Sequence, residues 1–282
     1  NYGFWGAGFG DFLSQDKQHA NPKITDTASG MMLGFDYYGY QNGIFTLASG
    51  YVHNDISEEC CAGSGTSNGG MLSFYGTGNI GNGYIEGGFL GGYNRFNMQR
   101  NIALTGPLPF YATAESSFNT WTLMPHFSGG YDWMMDWGIV EPFGSVDWAV
   151  TFQESYKEKG AAPLNDKIKS QNPSILRSQL GINFYETWEC EKHAFIFQQS
   201  ASYINQALFS TKMSAAIILA PTAVPGAFTV WTYDQTLNLG GVGGKLFYKH
   251  KPSGFFVSGA YQGEFGTSFM SNDITGTLGV FF

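Results

Sequence analysis

The connections between apolar segments constrain the fold more than any other feature of this sequence. Segments of about ten residues, in which apolar and polar side chains alternate, are joined by connections that are short and long in turn. The short connections are YYGYQNG (37–43), GNIGNG (78–83), MMDWG (134–138), WECEKH (188–193) and KHKPSG (249–254). The long connections are 14–26, 55–69, 97–116, 155–173, 206–231 and 266–272. Eleven strictly alternating connections predict twelve strands, with both chain ends on the side of the short turns.

Alternation within the segments indicates one apolar face and one small or polar face. In VEPFGSVDWAVTFQ (140–153), Val146, Trp148 and Phe152 share one face, and Asp147 lies on the other. The polar faces hold mainly Gly, Ser, Asn and Gln, and only 13% of the residues are charged, about half of the fraction usual in soluble domains. A soluble β-sandwich would carry more Lys and Glu on its polar face, so the pattern favours a sheet between lipid and a wet lumen. The sequence predicts an all-β fold: a transmembrane antiparallel β-barrel of twelve strands, with residues 1–282 as a single domain.

Other classes of chain are disfavoured. No segment reaches the roughly 20 apolar residues of a membrane helix, and the nearest candidate, SAAIILAPTAVPGAFTV (214–230), contains two prolines and is predicted to be a loop. The first residues, NYGFWGAGFGDF, lack the basic region and apolar run of a signal peptide, so we expect a mature or excised domain. A net charge of −8 argues against nucleic-acid binding, which requires a basic surface.

A series of motifs in fixed order gives the chain a family resemblance. The motifs are FWGAGFGDF (4–12), DTASGMMLGFDYYGYQNGIFTLASGYVHND (26–55), LSFYGTGNIGNGYIEGGFLGGYNRF (72–96), VEPFGSVDWAVTFQESY (140–156), LRSQLGINF (176–184), PGAFTV (225–230) and GAYQGEFGTSFMSNDITGTLGVFF (259–282). Together they resemble the C-terminal translocator β-barrel of autotransporters, the type V secretion family, over essentially the whole chain.

The resemblance implies a function and a set of partners. The barrel would anchor an N-terminal passenger in the bacterial outer membrane and help to bring it to the cell surface, without turnover and without a cofactor. Its implied partners are outer-membrane lipid, the barrel assembly machinery, and its own passenger with the linker that precedes the barrel. The family's terminal signal for assembly maps onto Ile274, Leu278, Val280 and Phe282. An unpaired edge strand with an apolar face invites pairing with another sheet edge.

Alternation also assigns polar side chains to the lumen, because a charge facing lipid would cost several kcal/mol. The predicted lumen-lining residues are Asp36, Glu86, Asp147, Arg177, Gln262 and Glu264. Asp147 and Arg177 lie on neighbouring strands and could form an ion pair. These residues could be a hydrated network that holds the shape of the lumen. The resemblance implies alternatives, which are contact with a transiting chain or linker helix, or the cleavage of a linker inside the barrel.

Histidines and glycines give weaker functional signals. The five histidines, His19, His53, His126, His193 and His250, lack the spacing of metal ligands, so no metal site is predicted. His53 and Asp55 share a face at a strand end, as in a rim protease, although a solvated flank explains them as well. LGGVGG (239–244) is not followed by a helix or by GK[ST], so it is predicted to shape the wall and not to hold phosphate.

The three cysteines do not form a disulfide framework. Cys60 and Cys61 are adjacent in a long connection, whereas Cys190 lies in a short turn at the other end of the predicted barrel. Our hypothesis is that one or more of them forms an intermolecular disulfide. Two alternative functions remain open at this stage: a general diffusion porin or adhesin-like outer-membrane protein, and, with less support, an outer-membrane protease.

Overall fold

A computed structural model describes residues 1–17, 22–39, 43–59, 63–105, 109–209, 212–217, 227–231 and 236–282. Its strands are β1 (Tyr2–Gln15), β2 (Ile24–Tyr38), β3 (Ile44–Glu58), β4 (Gly63–Ile80), β5 (Gly83–Leu104), β6 (Phe110–Tyr131), β7 (Trp133–Met135), β8 (Gly138–Gln153), β9 (Tyr156–Lys157), β10 (Asp166–Ile168), β11 (Ser174–Glu189), β12 (His193–Phe209), β13 (Lys212–Ile217), β14 (Ala227–Trp231), β15 (Leu237–His250), β16 (Phe255–Phe265) and β17 (Phe269–Phe281).

Twelve of these strands form the wall of a closed antiparallel barrel. The main sheet has thirteen strands in the order β11-β12-β15-β16-β17-β1-β2-β3-β4-β5-β6-β8-β7, and β8 also pairs with β11. The three-residue β7 only extends the turn before β8, so twelve strands remain in the wall. Pairing of β1 with β17, from Gly3↔Phe281 to Gln15↔Phe269, lies within this ring. The prediction of a twelve-stranded antiparallel barrel is confirmed.

Several strands are longer than the sequence predicted. The strands β5 and β6 each span 22 residues and pair continuously from Gly83↔Tyr131 to Leu104↔Phe110. The predicted long connection 97–116 is therefore mostly strand, and the same is true of 55–69. These hairpins continue beyond the apolar band of the outer face, where the outward residues of β5, Asn97, Gln99 and Asn101, are polar. Apolar alternation, on which the prediction depended, gives no signal there.

Two further long connections, 155–173 and 206–231, contain a second sheet. It has the order β14-β13-β10-β9, with β10 pairing with β13 through Lys167↔Ala216. The prediction that 214–230 is a loop is thus wrong in part, because β13 and β14 occupy both ends of this stretch. The two prolines, Pro221 and Pro225, lie between these strands in sequence and outside the described residues.

The outer face of the wall exposes large apolar side chains. Pairing aligns Met31, Tyr51, Gly70, Tyr93, Trp121 and Phe152 across six neighbouring strands, and we call this set the outer apolar row. Toward the short turns the outward positions stay apolar, with Leu33 and Leu180 each 68% exposed. Exposed apolar surface of this extent suits lipid contact. Among the described residues, no helix is long and apolar enough to cross a membrane.

Inside the barrel, aromatic rings lie flat over glycines of the neighbouring strand. The Trp5 ring covers Gly34, where an added Cβ would lie 2.2 Å from the ring, and its Nε1 donates a 3.0 Å hydrogen bond to Asp36 Oδ1. Phe9 covers Gly30 in the same way. Such glycines provide the space that the Trp5 and Phe9 rings need against the wall.

Candidate functional site

The candidate site is the interior of the barrel. Each predicted lumenal residue sits on the opposite strand face from exposed apolar neighbours: Asp147 lies between Val146 and Trp148, and Gln262 follows Tyr261. We call the two ends of the barrel the short-turn end and the long-loop end. Arg177, Glu264 and Asp147 lie nearer the long-loop end, whereas Asp36 and Glu86 lie nearer the short-turn end.

Arg177 and Glu264 form an ion pair across the lumen. Arg177 Nη1 donates to Glu264 Oε2 at 2.9 Å and Nη2 donates to Oε1 at 2.5 Å. The partners stand on β11 and β16, with β12 and β15 between them. Gln262 Nε2 adds a 3.2 Å hydrogen bond to Glu264 Oε1. The two parallel N–H···O bonds give this pair a fixed geometry.

The expected ion pair between Asp147 and Arg177 does not form, although the two residues are direct partners in the pairing of β8 with β11. Asp147 Oδ1 instead contacts His126 Nδ1 at 2.6 Å, and His126 Nε2 contacts Glu86 Oε1 at 3.1 Å. His126 thus joins two carboxylates from β5 and β8.

His126 is a site residue that the sequence analysis missed. Metal-ligand spacings along the chain do not identify His126, because its partners are supplied by neighbouring strands. A usable signal was present: His126 lies between Pro125 and Phe127, which face outward, and it shares the inner face with Thr122 and Ser128, which are polar. Among the described residues, no group of three His, Cys, Asp or Glu side chains is arranged to hold a metal ion.

Glu141 is the centre of a second network, nearer the short-turn end. Its side chain is buried, and Oε1 accepts hydrogen bonds from Asn183 Nδ2 at 2.7 Å and from the hydroxyls of Tyr84 and Tyr185 at 3.3 Å each. Asn183 in turn accepts a 3.2 Å bond from Gln198. A buried carboxylate is tolerated when donors satisfy it. The network therefore connects β5, β8, β11 and β12 through their inner faces.

Charge on the inner wall is predominantly negative. Between the Arg177–Glu264 pair and His126 lies a polar cavity of about 480 Å³ that is also bordered by Asp11, Asp147 and Asp273. The inward-facing cations Lys245 and Lys249 lie nearer the short-turn end, where the ammonium of Lys249 lies 4.7 Å from the ring centroid of Phe281. A polar interior of this kind admits water and polar chain, whereas the outer face does not.

At the long-loop end, beyond the membrane-spanning segments, residues 154–173 pair edge-on with β6 through Lys159 and contact the inner side of β5 and β6 through Tyr156, Glu158 and Asp166. The rings of Phe96, Phe118 and Tyr156 stack there, with centroids 5.3 and 4.3 Å apart. Burial raises the pKa of Tyr156 to about 12. The stack fixes the start of this connection against the inner side of the β5–β6 hairpin.

An ion cluster continues the same contact. Arg100 Nη2 lies 2.5 Å from Glu158 Oε2 and 3.0 Å from Asp166 Oδ2, and it also donates to the backbone oxygen of Leu164 at 3.1 Å. The hydrogen bond with Glu158 raises the pKa of Arg100. Burial raises the pKa of Asp166 above its usual 3.8, although Arg100 opposes that shift.

Four apolar side chains of the C-terminal segment point outward. Ile274, Leu278 and Phe282 are 54%, 61% and 70% exposed, and Val280 is half-buried on the same side. The Phe282 N–H donates to the Tyr2 carbonyl at 2.8 Å, and Tyr2 N–H donates to the Phe282 carbonyl at 3.1 Å. The C-terminus is therefore part of the seam that closes the barrel.

The remaining candidates lie outside the lumen. His53 and Asp55 are in contact at 3.3 Å on the outer face, in the two polar rows next to the outer apolar row, and not at the mouth of the lumen. Cys190 is exposed in its turn, with Sγ 3.6 Å from the His193 carbonyl oxygen. Cys60 and Cys61 lie outside the described residues, so the disulfide hypothesis stays a prediction, to be checked on non-reducing gels of native membranes.

A closed twelve-stranded barrel with an apolar outer face and a polar interior defines an outer-membrane barrel protein. The family profile described as the autotransporter beta-domain matches residues 4–262. The chain belongs to this family and is an outer-membrane translocator barrel of the kind that is linked to an N-terminal passenger. No curated protein sequence matches the chain.

Solved structures of three autotransporters are similar in fold. The translocator domain of NalP from Neisseria meningitidis gives a TM-score of 0.76 at 15% identity, covering 100% of this chain and 88% of that one. The beta domain of the Bordetella autotransporter BrkA gives 0.68 at 15% identity, with 100% and 99% covered. The transport unit of AIDA-I from Escherichia coli gives 0.61 at 18% identity, with 99% and 90% covered.

Proposed function

We propose that residues 1–282 act as one domain that anchors an N-terminal passenger, and that the segment connecting the two occupies the lumen. The observation that carries the proposal is the place where β1 begins. Asn1 lies at the short-turn end, where its carbonyl accepts a 3.0 Å hydrogen bond from Tyr38 N–H. A passenger joined before Asn1 therefore has to run through the lumen to reach the long-loop end.

The inner wall is suited to the passage of a polypeptide chain and not to tight binding of that chain or to catalysis. Its charged groups are largely engaged with each other, as in Arg177–Glu264 and Glu86–His126–Asp147. A transiting chain therefore meets a hydrated surface whose charged groups already have partners. We therefore expect the barrel to perform no chemical reaction and to need no cofactor.

Assembly and lipid contact form the second part of the proposal. Before β1 pairs with β17, the edge of β17 has unpaired backbone groups and the exposed side chains Ile274, Leu278 and Phe282. Such an edge suits strand addition by an assembly machine. After closure, every strand of the wall has two neighbours, which is the condition for a sheet in lipid.

A surface-display experiment tests the function. A signal peptide, an epitope-tagged passenger and a helical linker are fused before Asn1, and intact Gram-negative cells are treated with protease. Loss of the epitope, while the barrel and a tagged periplasmic protein stay intact, is the expected result. An epitope that is retained in the periplasm beside a correctly inserted barrel contradicts the proposal.

The polar cavity of about 480 Å³ favours one second candidate, a diffusion pore. A pore in its own right would conduct ions with the linker attached. The translocator proposal expects low conductance in planar bilayers with the linker in place and an increase when the linker is removed. Equal conductance of both forms would favour the pore.

A further inference from the structure

Polar residues replace apolar ones on the outer face immediately beyond the outer apolar row. Two residues further toward the long-loop end, the outward positions include His53, Asn68 and Arg95. The next row is Thr27–Asp55–Thr66–Asn97–Ser117, and each neighbour in it is a direct partner in strand pairing. A third row runs from Thr25 to Glu115, which faces Lys159 across an isolated bridge. Three successive polar rows on five strands show that this part of the wall does not contact acyl chains.

The second and third polar rows enclose a concavity of about 800 Å³, which we call the polar groove. Its lining is dominated by Ser, Thr, Asn and Gln side chains, with Lys157 and Lys159 on one side. Hydroxyls and amides both donate and accept hydrogen bonds, which is what the hydroxyl groups of a sugar require. The groove belongs to no part of the proposed translocation path, because it lies on the opposite face of the wall from the lumen.

Cations are available around the polar groove. Among the described residues, neither Lys157 nor Lys159 forms an ion pair, and Lys157 lies directly opposite Lys167 in the pairing of β9 with β10. Like charges opposite each other destabilise a sheet, and an anion between them would relieve the repulsion. The groove also contains the carboxylates of Asp55 and Glu115, and Asp55 contacts His53. The anion-binding part is therefore confined to the side formed by β9.

The height of the polar groove above the membrane indicates which class of lipid can reach it. Its rows lie four and six residues beyond the outer apolar row, about 13–20 Å along strands that rise about 3.3 Å per residue. With a tilt of roughly 40°, each residue of these two rows lies about 10–15 Å above the residue of the outer apolar row on its own strand. Headgroups of simple phospholipids extend only about 5–8 Å beyond the acyl chains. A lipid that bears several sugars extends further and brings both hydroxyls and phosphates to this level.

We propose that the polar groove binds the phosphorylated oligosaccharide of an outer-leaflet glycolipid. In this arrangement the hydroxyl and amide groups of the two rows bind the sugars, and Lys157 and Lys159 bind a phosphate. The site adds a specific lipid contact that goes beyond the proposed function of passenger transport.

The test measures lipid binding by native mass spectrometry of the purified barrel in detergent. The probes are rough-type lipopolysaccharide with its core sugars, lipid A without core sugars, and phosphatidylglycerol. We expect the core-bearing lipid to bind roughly tenfold more tightly than the other two, because only this lipid offers sugars and phosphate at the level of the groove. Heat-modifiable gel migration verifies that each variant is folded.

Two groove variants and one matched control complete the design. The variants K157A/K159A and T66V/N97L are each expected to lose roughly tenfold in affinity for the core-bearing lipid. The control K192A/K251A removes two lysines at the short-turn end and is expected to bind like the wild type. Equal binding of all three lipids, or unchanged binding by both groove variants, overturns the proposal, whereas passenger display reports separately on the function proposed above.

Discussion

Arg177 lies directly opposite Asp147 in the pairing of β8 with β11, yet its guanidinium binds Glu264 on β16. The nearest carboxylate in the ladder is held by His126 instead, at 2.6 Å. Two separate networks thus connect different parts of the wall: one joins β5, β6 and β8, and the other joins β11 and β16. Because the Arg177–Glu264 pair spans strands that are not neighbours, it constrains the cross-section of the barrel in a way that backbone pairing does not.

Removal of Arg177 should destabilise the barrel more than removal of both partners. The pair is mostly buried, with side chains 22% and 14% exposed, so R177M leaves Glu264 without compensation and is expected to cost about 2 kcal/mol of unfolding free energy. The double variant R177M/E264Q should recover most of that loss. Urea unfolding in lipid vesicles, followed by tryptophan fluorescence, provides the four values of a double-mutant cycle.

The exposed pair Lys251–Glu189 is a matched control for this cycle. Lys251 Nζ lies 2.8 Å from Glu189 Oε2, but the two side chains are 36% and 58% exposed. K251M should therefore change the unfolding free energy by less than about 0.5 kcal/mol. Coupling between Arg177 and Glu264 no larger than that of the control pair would contradict the constraint described above.

Replacement of Gly34 should disturb the lumen through Trp5. An added Cβ would lie 2.2 Å from the Trp5 ring, so G34A must displace the ring and weaken its hydrogen bond to Asp36. We expect a loss of about 1–3 kcal/mol of unfolding free energy. Gly276 offers the control, since a Cβ there meets no atom within 4 Å, and G276A should be neutral within about 0.5 kcal/mol. Equal effects of the two substitutions would show that backbone propensity, not ring packing, sets the cost.

The sequence was sufficient for the features that lipid imposes. Alternation of Val146, Trp148 and Phe152 against Asp147 identified the lipid-facing side, and the alternating connections gave the number of strands. Both signals arise because each strand of the wall crosses the same lipid layer and must present an apolar face to it. Beyond Tyr93 and Trp121, where the strands leave the lipid, the outward face is no longer apolar, and the extensions of β5 and β6 could not be predicted.

The partners of lumenal side chains could not be predicted from the sequence for a different reason. Adjacency along the wall suggested Asp147 as the partner of Arg177, but a long guanidinium side chain can reach across a lumen lined by small residues. Ser202 and Gly241 face inward on the strands between Arg177 and Glu264. The choice of partner depends on the diameter and curvature of the closed barrel, which no single strand encodes.

Asp166→Asn should stabilise the attachment of residues 154–173 slightly at neutral pH. Burial raises the pKa of Asp166 above 3.8, so the ionised carboxylate is less favourable in the folded state than in the unfolded one. The wild type therefore gains stability as the pH falls through the raised pKa, and this gain levels off below 3.8. The advantage of D166N, about 0.5 kcal/mol at pH 7, should disappear on acidification.

Limited proteolysis of this connection measures the effect locally, because cleavage reports on local opening. E158Q serves as the contrasting variant, since Glu158 makes two hydrogen bonds to Arg100 and its side chain is 8% exposed. It should accelerate cleavage at pH 7 by roughly tenfold or more. Faster cleavage of D166N than of wild type at pH 7 would show that attraction to Arg100 outweighs burial.

Substitutions of the last two phenylalanines should affect different properties: F281A the stability of the folded barrel, and F282S its assembly in cells. Phe281 faces inward, where its ring stacks on Phe256 with centroids 4.6 Å apart and contacts Tyr38 edge-on at 5.5 Å. F281A should therefore lower the unfolding free energy of the purified barrel by about 2–4 kcal/mol. Phe282 is 70% exposed and packs on little, so F282S should leave the purified barrel within about 0.5 kcal/mol of wild type.

In cells, however, F282S removes an apolar side chain from the strand edge that the assembly machinery is proposed to bind, and the amount of inserted barrel should fall several-fold. Quantitative blotting of outer membranes beside urea unfolding of refolded protein separates the two effects. Normal insertion of F282S would exclude Phe282 from the assembly signal.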